Sequence, residues 1–573
     1  MLNNVKFQTE NRIAKEELVK IRDGEISEYK LSIEFENECS PKVYSIIWEE
    51  EQIDMYGFWS SKSNEKHNLT PDWGKRTNES RTATGMPLIS IYNKSNQNRV
   101  TVALSDPANS SELKVGVVEE NGCLNFQIDL LTQICPKMKE YQVVIRIDRR
   151  NIHWSQAVVD TRKWWSDLGY KCAYVPSHAR LPMYSAWYSF HQHTYPDEII
   201  KECKIAKEYG MDSVIVDDGW QTDDNSRGYA FCGDWKVCEK KIPDMKAFVD
   251  EIHSLGMKFI IWFSVPFVGC ECENYERFKG KYLSSRRGKD ASILDPRFPE
   301  VRNFLVNTYV DYVKKYNWDG LKLDFIDSFM LTENSPNVCD EMDCVSVEVG
   351  VQRLLSEATT ELKKINPEIM IEFRQSYVGP IVGQYGNFFR VGDCPNDAMN
   401  NRTCSLDLRL TSGDIAVHSD MLMWNKKDTN ESVMYQLLAV MFSVPQISVR
   451  FDNITDDHKR LLKNYLAFWR EHKDTILSSD LIVEGVDANY TMAKAKKDGE
   501  SVAVLYQNTV ISIEDNATTY VFNSIGKDGI YVENDSEKSY ELYDMFGTKY
   551  ASGTLTQGVN KLPLNNCGMA VIK

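Results

Sequence analysis

Three textures of apolar and polar positions follow one another along the chain. Up to residue 175, short segments alternate in character between polar turns, as in KVYSIIWEEE, PLISIYNKS, VTVALSDP, LNFQIDLL and YQVVIRID. A period of two, punctuated by Asn, Ser, Asp and Gly, predicts many short antiparallel strands and an N-terminal β-sandwich over residues 1–175. From 176 to 475 short apolar runs alternate with longer helical stretches. The predicted strands are Pro182–Trp187, Ser213–Asp217, Lys258–Phe263, Leu321–Asp324, Met370–Phe373, Phe388–Val391, Ile415–His418 and Gln446–Val449. Among the helical stretches, DEIIKECKIAKEYG and DMKAFVDEIHSLG end at Gly210 and Gly256, where a C-cap belongs. Eight strands, each followed by a crossover, predict a (β/α)8 TIM barrel in the α/β class. An open doubly wound sheet is the competing arrangement; a glycine-rich phosphate loop, which would favour it, is missing after the first strand. Strand-like alternation returns over 476–573 (YTMAKAKKD, SVAVLYQN, TYVFNSI, YELYDMFG) and predicts a C-terminal antiparallel β-sandwich.

Bulk properties narrow the class. A chain of 573 residues is too long for one core and suits several domains. Its net charge of −16 argues against a nucleic-acid partner. No apolar run approaches the ~18–20 residues of a membrane span. The N-terminal MLNNVKFQTENRIAKEE has no apolar leader core, so a cytoplasmic location is expected. In that setting the 14 irregularly spaced cysteines read as free thiols. Cys270/Cys272 and Cys339/Cys344 lack the spacing of a zinc site, so no metal is expected.

In such a barrel the chemistry sits at the carboxyl ends of the strands. Those ends carry Asp217-Asp218-Gly219-Trp220, Trp262, Lys322-Leu323-Asp324, Glu372-Phe373-Arg374, Arg390-Val391-Gly392-Asp393 with Asp397 behind, and His418-Ser419-Asp420. Each has a bland reading: Asp217-Asp218 as a helix cap, Asp324 as a capped strand end, Trp262 as core. Together they place carboxylates on at least four strand ends, which a packed rim does not need. Two carboxylates beside aromatic platforms suit glycoside hydrolysis, with Trp187, Tyr188, Trp220, Trp235 and Trp262 as the aromatic set. Trp59 and Trp73, in the polar stretch GFWSSKSNEKHNLTPDWGKR, read as core, with a loop aromatic reaching the pocket as the alternative.

Ordered blocks across residues 180–450 resemble family 36 glycoside hydrolases, which include α-galactosidases and raffinose synthases. They are VIVDDGWQ, GDW, IHSLGMKFIIWFS, LDPRFPEVRNFL with WDGLKLDF, and RVGDCPND with HSDMLMW. The resemblance implies Asp324 as nucleophile and Asp393, rather than Asp397, as acid/base. It implies that Lys322, Asp217 and Asp218 bind galactose hydroxyls and that Trp220, Trp235 and Trp262 shape the pocket. Arg390 matches the family's Arg-x-x-Asp arrangement, and Arg374 stands where substituents at C2 would lie. The sequence departs from the bacterial pattern in three blocks: KLDFI for Lys-Trp-Asp-Met-Asn, FRQSYVGPIVG for a Cys-Ser-Gly-Gly-Gly-Gly run, and CPN between Asp393 and Asp397.

The implied function is hydrolysis of terminal α-galactosides of small oligosaccharides with retention, through a covalent glycosyl-enzyme. That mechanism expects carboxyl groups roughly 5–5.5 Å apart and needs no cofactor. Galactosyl transfer to a sugar acceptor, an α-N-acetylgalactosaminide specificity with an open pocket near Arg374 and Tyr377, and a non-catalytic carbohydrate-binding relative are the alternatives. The partner is a small carbohydrate, and self-association into homo-oligomers is expected from the resemblance alone.

Overall fold

The structure, a computed structural model, describes residues 3–63, 65–285 and 290–573. Its N-terminal strands form two antiparallel sheets of five and six strands. Along Ile26–Cys39 alternate side chains are buried, as period-two patterning requires. Leu31, Ile33 and Phe35 share one core with Ile46, Trp48 and Phe126, and the Trp48 and Phe126 rings stack at 5.0 Å. The last sandwich strand ends at Asp148, and a helix, Trp154–Asp167, follows. Its buried Trp154 packs on Trp59 at 5.5 Å, and Trp165 Nε1 donates to Leu104 O at 2.7 Å.

Eight parallel strands form the central sheet. They are Met183–Ser185, Ser213–Val216, Lys258–Ser264, Gly320–Asp324, Met370–Arg374, Phe388–Arg390, Ala416–His418 and Gln446–Ile447. The eighth pairs with the first, and an isolated parallel bridge from His418 to Val444 brings the seventh to the eighth. Each strand lies where the apolar runs predict it, within two residues at every end. Gly210 (φ 87°) and Gly256 (φ 70°) take the left-handed C-cap conformation.

The barrel interior is divided along its axis. Met183, Ile215, Ile260, Met370, Phe388 and Ala416 fill its lower part. Above them the register sets Trp262 beside Lys322 and Lys322 beside Glu372. Two residues further along these strands lie Ser264, Asp324 and Arg374, with Arg374 beside Arg390. Because side chains alternate across a strand, each inward pair at i and i+2 supplies both layers, while Leu321 and Leu323 face the outer helices.

The C-terminal strands form sheets of seven and three, mainly antiparallel; two pairings, Glu500–Leu505 with Thr518–Asn523 and Val510–Ile513 with Ile530–Asn534, are parallel. Among the described residues no helix is long and apolar enough to cross a membrane. The fourteen cysteines carry no disulfide.

One buried carboxylate ties the three regions together. Asp407, on the helix Ala398–Thr411, accepts Trp59 Nε1 from the N-terminal sandwich at 2.9 Å and the hydroxyl of Tyr490 from the C-terminal sheets. Burial holds its carboxyl above the usual range, against those two donors. Asp407→Ala leaves both donors unpaired inside the junction, an expected cost of about 2–4 kcal/mol. Differential scanning calorimetry should show a lower main transition and separate melting of a flanking region. An unchanged thermogram would mean that Asp407 does not hold the junction.

Candidate active site

Asp324 ends the fourth barrel strand and is 7% exposed. Its Oδ1 accepts Arg374 Nε at 2.6 Å, the Phe325 backbone N–H at 2.8 Å and the Tyr377 hydroxyl at 3.3 Å. Its Oδ2 accepts Trp262 Nε1 at 3.0 Å. Phe325 occupies the left-handed region (φ 67°), and this sharp turn lets its N–H reach back to the Asp324 side chain. Such a conformation in a bulky residue costs on the order of 1–3 kcal/mol, which the surrounding contacts must offset. Burial works against ionising Asp324, but Arg374, Lys322, the Trp262 donor and Arg390 outweigh it and hold the carboxyl well below the usual range.

Arg390 is the hub of the opposite side. At 1% exposure its guanidinium donates to Asp420 Oδ1 at 2.7 Å and Asp393 Oδ1 at 2.9 Å, with Glu372 Oε1 3.5 Å from Nε. Asp420 is itself held by the Tyr188 hydroxyl at 2.8 Å and the Cys394 N–H at 2.7 Å. Burial raises the carboxyls of Glu372 and Asp420. Asp393 differs: its side chain is 58% exposed, and Arg390 is the main cause of its lowered pKa. Asp397 caps the helix Ala398–Thr411 by accepting the Asn400 N–H at 3.0 Å. Of the two aspartates, Asp393 is the one joined to the charged mouth.

The remaining expected residues divide. Lys322, 4% exposed, donates to Asp217 Oδ2 at 2.6 Å and links the second and fourth strands across the mouth. Asp218 has both oxygens engaged, by Gln221 and by Gln192, each at 2.7 Å; burial and the neighbouring Asp217 push its carboxyl up to about 6. Trp187 stacks on His191 at 3.8 Å. Trp262 touches Asp324 directly; Trp235, expected to shape the pocket, is 1% exposed and packs on Trp262 at 6.0 Å and Phe263 at 4.9 Å, so it backs Trp262 from the core. Trp220 corrects the expectation. Fully buried, it donates to Trp262 O at 2.8 Å and packs edge-on against Tyr312 and Trp318, so it is core behind the sheet. Trp59 is likewise sealed in the core, whereas Trp73 is 78% exposed on the turn Asp72–Gly74.

Glu372 and Asp420, read from the sequence only as strand-end carboxylates, Tyr188, read as a sugar platform, and Gln446, given no role, also belong to this network. Gln446 Nε2 donates to Glu372 at 2.9 Å and also meets His418 Nδ1 at 3.2 Å. For Glu372 and Asp420 the signal was polarity at strand ends; their partnerships were not legible, since Arg390 and Asp420 meet across two strands, 30 residues apart in the chain.

The whole arrangement is a buried carboxylate kept ionised, a second carboxylate open to solvent, and lysine and arginine between them, which suits a substrate whose reacting centre gains positive charge. The sequence profile of the family described as Melibiase matches residues 177–478, the entire barrel. Alpha-galactosidase Mel36A of Lactobacillus acidophilus is 29% identical over 133 residues, 20% of this chain and 17% of that protein. The bifunctional alpha-galactosidase/sucrose kinase AgaSK of Mediterraneibacter gnavus is 32% identical over 142 residues, 22% of this chain and 14% of that protein. These alignments thus span less than a fifth of either relative's length. Among solved structures, the alpha-galactosidase from Lactobacillus brevis superposes with a TM-score of 0.65 at 13% identity, covering 100% of this chain and 85% of that one. The alpha-galactosidase AgaA from Geobacillus stearothermophilus in complex with raffinose gives 0.64 at 13%, covering 100% and 88%. At that identity the likeness is one of fold, extending beyond the barrel to both flanking β regions. With the family profile spanning more than half of the chain and the motif residues gathered at one barrel mouth, this protein belongs to the Melibiase family.

Proposed function

We propose that the protein is a retaining α-galactosidase acting on small oligosaccharides, with Asp324 as nucleophile and Asp393 as acid/base. The observation that carries this is the pairing of Asp324 with Arg374, Lys322 and Trp262, which keeps a buried carboxylate ionised. Oδ1 already accepts three hydrogen bonds and Oδ2 accepts one, so Oδ2 keeps the lone pair for attack on the anomeric carbon. Asp393 gives its proton to the departing oxygen and later takes one from water. Arg390 leads the lowering of the Asp393 carboxyl, and the charge of Asp324 opposes it. Esterifying Asp324 removes that opposing charge, so Asp393 loses its proton more readily and stands ionised to take a proton from water in the second step. Before that first step, sugar covering the exposed Asp393 carboxyl desolvates it and favours its protonated form.

Asp217, with Lys322 on one oxygen, is suited to an axial hydroxyl, and Trp187 and Tyr188, both partly exposed, are the aromatics available to the ring. An acetamido specificity would need space near Arg374 and Tyr377. Tyr377 is 1% exposed, with its hydroxyl on Leu323 O at 3.1 Å, and Arg374 is held by Asp324, which favours a plain C2 hydroxyl. The relatives named alpha-galactosidase, matched over 133 and 142 residues, support the same assignment.

Turnover of p-nitrophenyl α-galactoside, but not of the α-glucoside or α-N-acetylgalactosaminide, is expected, with the α-anomer as first product by NMR. Asp324→Gly should lose at least about 10⁴-fold, the scale of removing a catalytic nucleophile. Added azide should then restore release and yield a β-galactosyl azide. Asp393→Gly rescued by azide should instead yield the α-azide, since the covalent intermediate still forms. A β-anomer as first product from the unmodified protein would overturn retention.

Arg390 gives a prediction that does not depend on substrate. Arg390→Met leaves Glu372, Asp420 and Asp393 without their cation, at an expected cost of about 3–5 kcal/mol near neutral pH. Glu372 and Asp420 already titrate above the ordinary carboxylate range and would rise further. A carboxyl raised on folding contributes stability below its unfolded pKa and loses it as pH rises through the folded value. The deficit in urea unfolding should therefore be largest at pH 7–8 and shrink toward pH 5. A deficit independent of pH would show that the lost contribution is packing and not charge.

A further inference from the structure

We propose that Asp327, a carboxylate outside the catalytic pair, is a positioning residue that shares Arg374 with Asp324 and so keeps the nucleophile from being neutralised too fully to attack. This rests on the glycosidase reading above and adds a residue to the same site. Asp327 stands three residues after Asp324, on the short turn Ile326–Ser328. With Phe325 in the left-handed region between them, both carboxylates face one guanidinium. Asp324 Oδ1 lies 2.6 Å from Arg374 Nε, and Asp327 Oδ2 lies 3.8 Å from Nη1. Arg374 lies within FRQSYVGPIVG and Asp327 directly follows KLDFI, two blocks that depart from the bacterial family pattern, so the pairing is a feature of this chain.

Both partners are held in place. The Asp327 backbone O accepts Arg81 from the N-terminal sandwich at 2.7 Å, and its Oδ2 accepts the Ser376 hydroxyl at 3.2 Å. Arg374 Nη1 donates to Gln375 O at 2.7 Å, and the guanidinium sits over the rings of Phe325 and Tyr377 at 5.1 and 5.5 Å. These contacts fix one positive charge between two carboxylates. Burial pushes the Asp327 carboxyl up, Arg374 is the main force against that rise, and Asp324 adds to it.

The consequence is a matter of basicity. A carboxylate wholly neutralised by a guanidinium is a weak base, hence a poor nucleophile and a good leaving group. By drawing on the charge of Arg374, Asp327 leaves Asp324 the stronger base. The two halves of the reaction respond with opposite sign. In the first, Asp324 Oδ2 bonds to the anomeric carbon while the departing group leaves with its electron pair, and a stronger base speeds this. In the second, the oxygen of water bonds to that carbon, the bond to Oδ2 breaks with its pair returning to Asp324, and Asp393 takes the proton; a stronger base departs more slowly. The direct effect of the Asp327 charge on the positive reacting centre acts on both halves alike and cancels in their ratio.

The test uses 5-fluoro-α-galactosyl fluoride, which loses fluoride to label the nucleophile and is then released slowly by water. Labelling is followed by intact mass and mapped to Asp324 by peptide mass; release is followed on the isolated labelled protein. Asp327→Asn keeps the shape and an acceptor for Ser376 and removes only the charge, whereas Asp327→Ser removes both. Each is checked for folding by circular dichroism and melting temperature. Both should lower the ratio of labelling rate to release rate about tenfold. A purely structural role would slow both halves together or neither. An unchanged or higher ratio would overturn the shared-cation assignment while the glycosidase reading stands, as would a fall with Asp327→Ser but not with Asp327→Asn, which assigns the effect to the Ser376 bond. An unmodified protein that takes no label at Asp324 would sink the glycosidase reading and this inference with it.

Discussion

The mouth of the barrel is governed by the need to neutralise charge away from water. Asp217, Asp324, Glu372 and Asp420 are each no more than 7% exposed. Isolated, any of them would take up a proton instead of staying charged. At Asp324 the surrounding cations outweigh that cost, while at Glu372 and Asp420 burial prevails; the shared contacts of Lys322, Arg374 and Arg390 bind the second, fourth, fifth, sixth and seventh strands into one electrostatic unit. Each cation lies near more than one anion, so removing one disturbs several titrations at once. The proposed nucleophile is kept ready by the same forces that make the site expensive to build.

Its supporting layers are arranged so that few of those groups can move. The lower barrel is filled with apolar side chains, giving the charged layer a rigid floor. Trp220, Trp235 and Phe263 pack behind Trp262 and fix the indole that reaches Asp324. The N-terminal sandwich closes the remaining side through Arg81, Gly85 and Ser63, and Asp407 fastens all three regions at a separate junction. Access is left mainly at Asp393, the exposed carboxylate of the set.

Reading the sequence succeeds and fails for identifiable reasons. The barrel strands are legible because each is a short apolar run between helices with clear ends. Asp324, Lys322 and Asp393 are legible because they close such runs with charge. Trp220 is misread because a tryptophan beside two aspartates has the same sequence context whether it faces a sugar or a helix. Only its packing on Tyr312 and Trp318 decides between these. Asp397 and Asp393 are likewise indistinguishable by type, until one caps a helix and the other meets Arg390.

The sequence by itself determined the local and periodic features: element types, their order, and which strand ends carry ionisable groups. These depend on backbone propensity and on the spacing of apolar residues, which are properties of neighbours along the chain. Partnership across the barrel was decided by the tertiary structure alone. The Arg390–Asp420 and Arg374–Asp324 pairs, the protonation each partner favours, and the contribution of the sandwich to the mouth depend on strand register and closure. Coulomb energy and desolvation depend on distance and burial in space, and no separation along the chain encodes them.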